Sequence, residues 1–177
     1  MDTLDYSGTG LNQGSKVVIA AAGRVRRTLA TELPGGLELP KGFSQPHLAL
    51  PGVLVVAAPP WNGQAGQPAD DLRVFCQNLR DPEGSAELPL IVLADDSEFT
   101  ARSLNNFLWV TFTRSDPAAD IDGCDAFISA KHWGCRGSLV IDARIKHHHA
   151  PPLMDDPTVE RRVDALGAPG GSLHGLI

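Results

Sequence analysis

Residues 88–114, "LPLIVLADDSEFTARSLNNFLWVTFTR", decide the fold. The first eight residues form a short apolar run rich in branched side chains, which is typical of a strand buried on both faces. Apolar side chains then recur at helical spacing: Leu104, Phe107, Leu108 and Thr111, with Phe112 beside them. We expect Ser97 or Thr100 to cap this helix and the chain to leave it near Arg114, ahead of Asp116-Pro117. A buried strand followed by an amphipathic helix is the building unit of an α/β fold.

The same alternation extends to both sides of this stretch. Apolar runs predict further strands at 16–23 ("KVVIAAAG"), 52–60 ("GVLVVAAPP"), 125–130 and 138–143. Helices are expected at 24–33, at 71–80 behind an Asp70 cap, and from Asp156 or Pro157 to about Leu166. The Pro- and Gly-rich residues 34–52 predict a surface loop. The pattern predicts a three-layer α/β/α fold with a mixed, mainly parallel sheet.

Length and composition set the remaining expectations about domains and surroundings. The 177 residues fit one domain, expected at 16–166, with a flexible tail at 1–15 and a Gly-rich tail at 167–177. A net charge of −6 argues against a nucleic-acid or anionic-membrane partner. The acidic N-terminus lacks the apolar core of a signal peptide, and three cysteines without a CxxC pair indicate reduced thiols, so we expect a cytoplasmic protein.

Three consecutive histidines, His147–His149, raise the question of a metal site. Neutral imidazoles are common metal ligands, and in an extended chain His147 and His149 share one side while His148 faces the other. A third ligand is available in His132 or Asp142. The spacing matches neither a zincin nor a zinc finger. The alternative is a polar loop that leaves a strand, with one histidine hydrogen-bonded and the others in water.

Charged and aromatic residues near the strand ends are the other candidates. Asp142 and Arg144 lie two apart on a strand, so they face the same side and pair with each other or with Lys131 and Asp155. Asp95 and Asp96 follow a strand at the sheet edge where α/β folds place ligands, although capping of the next helix is the alternative. Trp61 and Trp133 lie in expected loops, where they mark an interface between subunits or belong to the core.

Two longer stretches resemble one known family. Residues 89–121, "PLIVLADDSEFTARSLNNFLWVTFTRSDPAADI", contain consecutive aspartates after a strand, then a helix with Asn and Trp, then a TRxDPxxD stretch. Residues 137–166, "GSLVIDARIKHHHAPPLMDDPTVERRVDAL", contain an Asp-Ala-x-x-Lys stretch, a proline loop and a DPxV helix start. These motifs, in this order, resemble the C-terminal domain of UbiD-type decarboxylases. The matching residues are Asp95, Asp96, Asn105, Trp109, Thr113, Arg114, Asp116, Pro117, Asp120, Asp142, Ala143, Lys146, Asp156, Pro157 and Val159.

The resemblance bears on the histidines. Family members that act on phenolic acids look like DARxKxHHAPPL at this place, so most of the histidine run is family loop sequence. His147 stands where the family has proline. The resemblance covers 88–166, about half of the chain, and residues 37–80 are similar to the strand and helix that precede it.

The resemblance also implies a chemistry. UbiD-type enzymes reversibly decarboxylate aromatic or α,β-unsaturated acids with prenylated FMN, a divalent metal (Mn or Mg) and often K⁺. Their cofactor and their catalytic Arg and Glu residues belong to a preceding split-barrel region, so none of the residues here is expected to be catalytic. A basic residue that reaches the cofactor phosphate usually follows the strand aligned to 53–58. Here that place reads Ala57-Ala58-Pro59-Pro60-Trp61, so this chain alone is expected to bind no cofactor.

Three interpretations follow. The first is an accessory subunit that joins a separate UbiD-like catalytic chain, with homo-oligomers also possible, and it predicts an exposed apolar patch. The second is a binding or regulatory module for an aromatic acid or anion near Arg144, Lys146 and His147–His149. The third is a metal-dependent hydrolase that uses His147–His149. The candidate ligand or interface residues are Asp95, Asp96, Lys131, His132, Trp133, Asp142, Arg144, Lys146, His147, His148 and His149.

Substitution of Trp109 distinguishes whether this side chain belongs to the core or to an interface. If Trp109 is a core residue, Trp109→Ala lowers the free energy of unfolding by roughly 3–5 kcal/mol. A near-neutral effect places Trp109 at an interface instead.

Overall fold

A computed structural model describes residues 15–20, 22–79, 86–149 and 156–176. The tail expected at 1–15 therefore lies, apart from Ser15, outside the described residues. The strands are β1 (Ser44–Leu50), β2 (Val53–Ala57), β3 (Leu90–Ala94), β4 (Ile121–Gly123), β5 (Ala126–Ser129), β6 (His132–Cys135) and β7 (Leu139–Asp142). The helices are α1 (Asp70–Asn78), α2 (Ser97–Ala101), α3 (Leu104–Thr113) and α4 (Pro157–Gly167).

Five of the strands form one mixed sheet in the order β1-β2-β3-β7-β4. The central strands β2, β3 and β7 are parallel, and Val55, Val92 and Ile141 stand side by side across them. The edge strands β1 and β4 run antiparallel to their neighbours. Strands β5 and β6 form a separate two-stranded hairpin.

The central strands are buried on both faces, as their continuous apolar runs predict. Because side chains alternate along a strand, Val55, Val92 and Ile141 face α3 and pack with its Phe107 and Val110. The intervening residues face α1: Leu54, Val56, Ile91, Leu93 and Val140 pack with Leu72, Phe75 and Cys76. Helices thus cover both faces, and the expected three-layer α/β fold is confirmed.

The N-terminal part of the described chain differs from the sequence expectation. The strand expected at 16–23 and the helix expected at 24–33 are both wrong, because the described residues there form neither element. Val18 is 90% exposed and Val25 is 92% exposed. An apolar run becomes a buried strand only where neighbours pair with its backbone and cover its side chains, and the described residues provide neither.

Residues 34–52 are not simply a loop. They contain β1, which pairs with β2 with two register irregularities. A proline within a run removes a backbone donor and argues against a central strand. Pro46 is tolerated here because β1 lies at the edge of the sheet.

The long helix expected after β3 is two helices. Asp96 caps α2 by accepting the N–H of Phe99 at 2.9 Å, and Ser103 caps α3 by accepting the N–H of Asn106 at 3.2 Å. The expected caps Ser97 and Thr100 lie inside α2 instead. Asp70 likewise lies within α1, whose N-cap residue, Ala69, offers no side chain to the helix.

The buried face of α3 agrees only in part with the expected one. Phe107, Val110 and Thr111 are buried, whereas Leu104 and Leu108 are 51% and 44% exposed. Apolar residues occupy most of the circumference of α3, so their spacing alone does not tell which side faces the sheet.

The "KHWGCRG" connection contains a strand that the sequence-based expectation missed. Residues His132–Cys135 form β6 and pair with β5, while the short edge strand β4 precedes both. The three cysteines, all among the described residues, form no disulfide. None of the described helices combines the length and the apolar character needed to cross a bilayer.

Phe75 tests the packing of α1 on the sheet. Its side chain is fully buried, and its ring centroid lies 4.7 Å from that of Phe43. We expect Phe75→Ala to lower the free energy of unfolding by about 3–5 kcal/mol, because a large core side chain leaves a cavity. Urea denaturation checks this, with Phe112→Ala as the control, since Phe112 is 42% exposed. Equal losses in the two variants would contradict this packing.

Candidate functional site

The candidate site lies where β2, β3 and β7 end at the same edge of the sheet. The chain after β7 runs through Arg144 and Lys146 to the histidines, and Asp95 follows β3. Helix α1 begins after the connection that follows β2, and its second residue, Asp71, reaches the same place. This is the edge at which open α/β sheets bind ligands.

Arg144 is the centre of this edge and is completely buried. Its Nε and Nη2 donate to the two oxygens of Asp142 at 2.8 and 2.6 Å. Its Nη1 and Nη2 donate to the two oxygens of Asp71 at 2.6 and 2.9 Å, and Nη1 also donates to the carbonyl of Pro59 at 2.9 Å. A guanidinium has five N–H donors, so Arg144 is saturated by groups of its own chain.

The expected Asp142–Arg144 pair is therefore present, but Asp71 was missed. Two adjacent acidic residues in the first turn of a helix that follows β2 were the available signal, since that turn faces the carboxyl edge. Burial lowers the pKa of Arg144, but the hydrogen bonds to Asp142 and Asp71 outweigh it, and the pKa is raised overall. Asp155, the other partner considered, lies outside the described residues.

Lys146 is buried beside this network and is also satisfied. Its Nζ donates to the carbonyls of Arg114, Asp142 and Arg144 at 2.7, 3.0 and 3.3 Å. Its Nζ also lies 3.2 Å from a carboxylate oxygen of Asp120. Burial raises the pKa of Asp120, although the N–H of Asp116 and the charge of Lys146 act in the opposite direction.

The two aspartates after β3 have separate structural tasks. Asp95 accepts the backbone N–H of Ile145 at 2.7 Å and a hydrogen bond from Arg114 at 3.3 Å. Asp96 caps α2, as its capping alternative predicts. The guanidinium of Arg114 lies 5.2 Å from the ring centroid of Trp109, which joins α3 to this edge.

The three histidines form a turn, so the expected alternation of an extended chain is wrong. His149 turns back, donating its backbone N–H to the Lys146 carbonyl at 2.9 Å and accepting the Lys146 N–H on its Nδ1 at 3.1 Å. The His147 ring lies 5.0 Å from the Trp61 ring. Within the described ranges, no group of three His, Cys, Asp or Glu side chains is arranged to hold a metal.

The structure separates Lys131, His132 and Trp133 from this edge. Residues 132 and 133 lie in β6, and Lys131 lies in the turn before it with a left-handed φ of 69°. Strand β4 runs antiparallel to β7, so the chain enters the β5–β6 hairpin from the opposite edge of the sheet. His132 and Trp133 are exposed there.

The described residues at the candidate site do not fit the cofactor or the metal that the family resemblance implies. In the segment after β2, the Pro59 carbonyl accepts a hydrogen bond from Arg144 and Trp61 packs on His147. The nearby cations Arg144 and Lys146 are held by carboxylates and carbonyls of their own chain. Neither a flavin phosphate nor a divalent ion finds a set of available partners among them, so no step of a reaction is assigned to them.

Arg144→Leu tests the network. The change leaves Asp142, whose side chain is 0% exposed, without a counter-charge. We expect a loss of roughly 3–5 kcal/mol in the free energy of unfolding, because an uncompensated buried charge is strongly destabilising. Arg136→Leu is the control, since Arg136 and Asp125 form an exposed pair, and it should change stability by less than about 1 kcal/mol. Urea unfolding at neutral pH measures both, and similar values would show that Arg144 is dispensable.

His149 predicts a pH dependence of stability. Burial, with the nearby charge of Lys146, lowers the pKa of His149 from 6.5 to about 4. The unfolded chain therefore takes up a proton at His149 near pH 6.5, whereas the folded chain takes it up only near pH 4. The stability that the neutral His149 contributes is fully present above pH 6.5 and is lost as the pH falls to 4.

Comparison with an Asn variant isolates this contribution. His149→Asn keeps an acceptor for the Lys146 N–H but does not titrate. The free energy of unfolding should fall less between pH 7 and pH 4 in the variant than in the wild type. His174→Asn, at an exposed histidine near the C-terminus, should behave as the wild type. Parallel curves for wild type and His149→Asn would refute the assignment.

Comparison with known proteins supports the resemblance. No protein-family model matches the chain. The chain is 30% identical over 164 residues to a 4-hydroxybenzoate decarboxylase subunit of Chlamydia pneumoniae, covering 92% of this chain and 26% of that protein. It is 37% identical over 164 residues to an uncharacterized protein of Chlamydia trachomatis serovar D, covering 93% of this chain and 26% of that protein. The chain thus spans about a quarter of the length of these curated relatives.

A solved structure is also similar to part of the chain. Vanillic acid decarboxylase of Sedimentibacter hydroxybenzoicus, in an open form, matches 65% of this chain and 27% of its own chain at 16% identity and a TM-score of 0.37. The sequence relatives and the ordered motifs between residues 88 and 166 agree with each other. Both support the resemblance of this chain to UbiD-type decarboxylases.

Proposed function

We propose that this chain is an accessory domain of a UbiD-type decarboxylase and that the residues that perform the chemistry lie on a separate UbiD-like catalytic chain. That catalytic chain carries prenylated FMN and a divalent metal, Mn or Mg. The similarity to the 4-hydroxybenzoate decarboxylase subunit supports an aromatic or phenolic acid as the substrate of the assembled enzyme.

The observation that carries this proposal is the outer face of α3. Four large apolar side chains on this helix of ten residues are about half exposed: Leu104 51%, Leu108 44%, Trp109 54% and Phe112 42%. A contiguous exposed apolar patch of this kind marks an interaction site in a folded domain. Tryptophan is enriched among the residues that dominate binding energy at interfaces. The exposure of Trp109 supports its interface interpretation over the core interpretation.

The two other interpretations receive less support from the candidate site. An anion-binding module needs cations that are available to the anion, but Arg144 and Lys146 are buried and fully hydrogen-bonded within the chain. A metal hydrolase needs histidine nitrogens directed at one point, but His149 Nδ1 accepts a backbone hydrogen bond instead. Both arrangements are typical of a structural network that shapes the edge of a domain.

Binding to a catalytic chain tests the proposal. The probe is a polypeptide homologous to the other three quarters of the 4-hydroxybenzoate decarboxylase relative, loaded with prenylated FMN and Mn²⁺. Calorimetry should show binding of the present chain, and CO₂ release from 4-hydroxybenzoate should increase when the chain is added. Trp109→Ala should weaken binding about tenfold or more, as expected for an interface tryptophan, with little change in its melting temperature.

The control is Ile128→Ala, which removes an equally apolar side chain that is 78% exposed on the β5–β6 hairpin and should bind as the wild type. CO₂ release by the present chain alone would disprove an accessory role. If Trp109→Ala binds as tightly as the wild type, the contact with the catalytic chain does not lie on α3. Sedimentation of the isolated chain reveals whether the same face joins two copies instead.

A further inference from the structure

Residues 16–27, which we call the strap, have the sequence of a buried strand, but the described residues 16–20 and 22–27 lie at the surface. The run "KVVIAAAG" has the branched apolar composition of a core strand. Val18, Ile19 and Val25 are nevertheless 90%, 59% and 92% exposed. Exposed runs of this composition are costly in water and prone to pair with other strands, so their retention on a surface needs an explanation.

The strap is held at both ends by the body of the domain. Ser15 Oγ donates to the carboxylate of Asp116 and accepts the N–H of Ala118 at 2.8 Å. Ala30 donates its N–H to the Glu87 carbonyl at 3.0 Å, and its own carbonyl accepts the Gly52 N–H at 2.8 Å. Between residues 17 and 27, the described part of the strap makes no backbone hydrogen bond to the described body.

The two anchors of the strap, Ser15 and Ala30, lie at opposite ends of the parallel strands of the main sheet. Gly52 and Glu87 precede β2 and β3, whereas the turn at 116–120 hydrogen-bonds to Asp142 at the carboxyl end of β7. A five-residue strand spans about 17 Å. The fourteen residues 16–29 reach about 46 Å when extended, at roughly 3.3 Å per residue. The strap is thus long enough to leave the surface and form a strand elsewhere while both anchors stay in place.

The charge of the strap is opposite to that of the whole chain. Lys16, Arg24, Arg26 and Arg27 are basic, and no acidic residue occurs between residues 6 and 31. All 177 residues together have a net charge of −6. Concentrated positive charge beside an apolar run suits a binding surface that combines an apolar strip with acidic side chains.

We propose that the strap adds as a β-strand to an exposed sheet edge of the UbiD-like catalytic chain, an edge that is flanked by acidic side chains. This inference rests on the proposed function. The match to the 4-hydroxybenzoate decarboxylase relative covers 92% of the 177 residues and leaves about 14 residues outside it. Even if all of these lay at the N-terminus, the match would begin before residue 16 and would include the strap. The strap therefore belongs to the region shared with a decarboxylase chain about three and a half times as long. Added strands gain affinity from backbone hydrogen bonds and specificity from alternate side chains.

Paired proline and alanine variants test the backbone pairing. In an edge strand, adjacent N–H groups point to opposite sides, so either Val18 or Ile19 donates to the partner strand. One of Val18→Pro and Ile19→Pro should weaken binding to the loaded catalytic chain about tenfold relative to the alanine variant at the same position, because one backbone hydrogen bond is lost. The melting temperatures should stay unchanged, since the strap lies outside the core. Hydrogen exchange at residues 16–27 should slow when the catalytic chain is added.

A charge variant tests the chemistry of the partner. Arg26→Glu should weaken binding at low salt and approach the wild type at high salt, since screening removes the attraction. Arg162→Glu on α4 reverses one charge at an exposed arginine outside the strap and should have a smaller effect.

The outcomes separate the two proposals. If the wild-type chain fails to bind the catalytic chain, the proposed function is wrong. If the wild type binds, but both proline variants bind like their alanine counterparts and residues 16–27 gain no protection, the strap inference is wrong and the function stands. Protection that grows with the concentration of the chain alone would assign the strap to a second copy and overturn the partner named here.

Discussion

The five hydrogen bonds of the Arg144 guanidinium hold the carboxyl edge of the sheet together. They join three elements that are distant in sequence: the end of β7 through Asp142, the start of α1 through Asp71, and the segment after β2 through Pro59. Each of these elements has its own apolar face in the core, but apolar contacts are non-directional. The planar guanidinium donates its hydrogen bonds in fixed directions, so it sets the mutual position of the two carboxylates.

Burying such a network does not by itself make the protein stable. Two carboxylates and a guanidinium lose their hydration when they enter the interior, and their attraction roughly offsets that cost. The net effect is on geometry. With Arg144 in place, Lys146 reaches the carbonyls of Arg114 and Asp142, and Asp95 holds the N–H of Ile145. The histidine turn is hydrogen-bonded to Lys146, and Trp109 lies beside Arg114.

The sequence predicted correctly the elements whose apolar pattern matches their burial in the fold. It failed where the apolar pattern and the burial differ. Strands β2, β3 and β7 are continuous apolar runs in a place where both faces are covered, so their composition was sufficient. Helix α4 was predicted from Asp156 and Pro157, which act locally. The buried side of α3 was half right: Phe107 and Thr111 are buried, but Leu104 and Leu108 are exposed, because apolar residues occupy most of the helix circumference. The Asp142–Arg144 pair was predictable from strand alternation, whereas Asp71 is 73 residues from Arg144 and no local pattern connects them.

The wrong expectations at residues 16–23 and at Leu104 and Leu108 have a common physical cause. At both places the chain contains apolar side chains that the described fold leaves in water, although the same residues have the spacing of buried elements. Burial of a large apolar side chain is worth about 1.5–3 kcal/mol, so this surface has a substantial free energy to gain from contact. By contrast, the polar residues at the carboxyl edge, where a ligand was expected, already satisfy one another. In the described part of the chain, the exposed apolar surface therefore lies outside the expected ligand site, which is the distribution expected of a domain that assembles with another polypeptide.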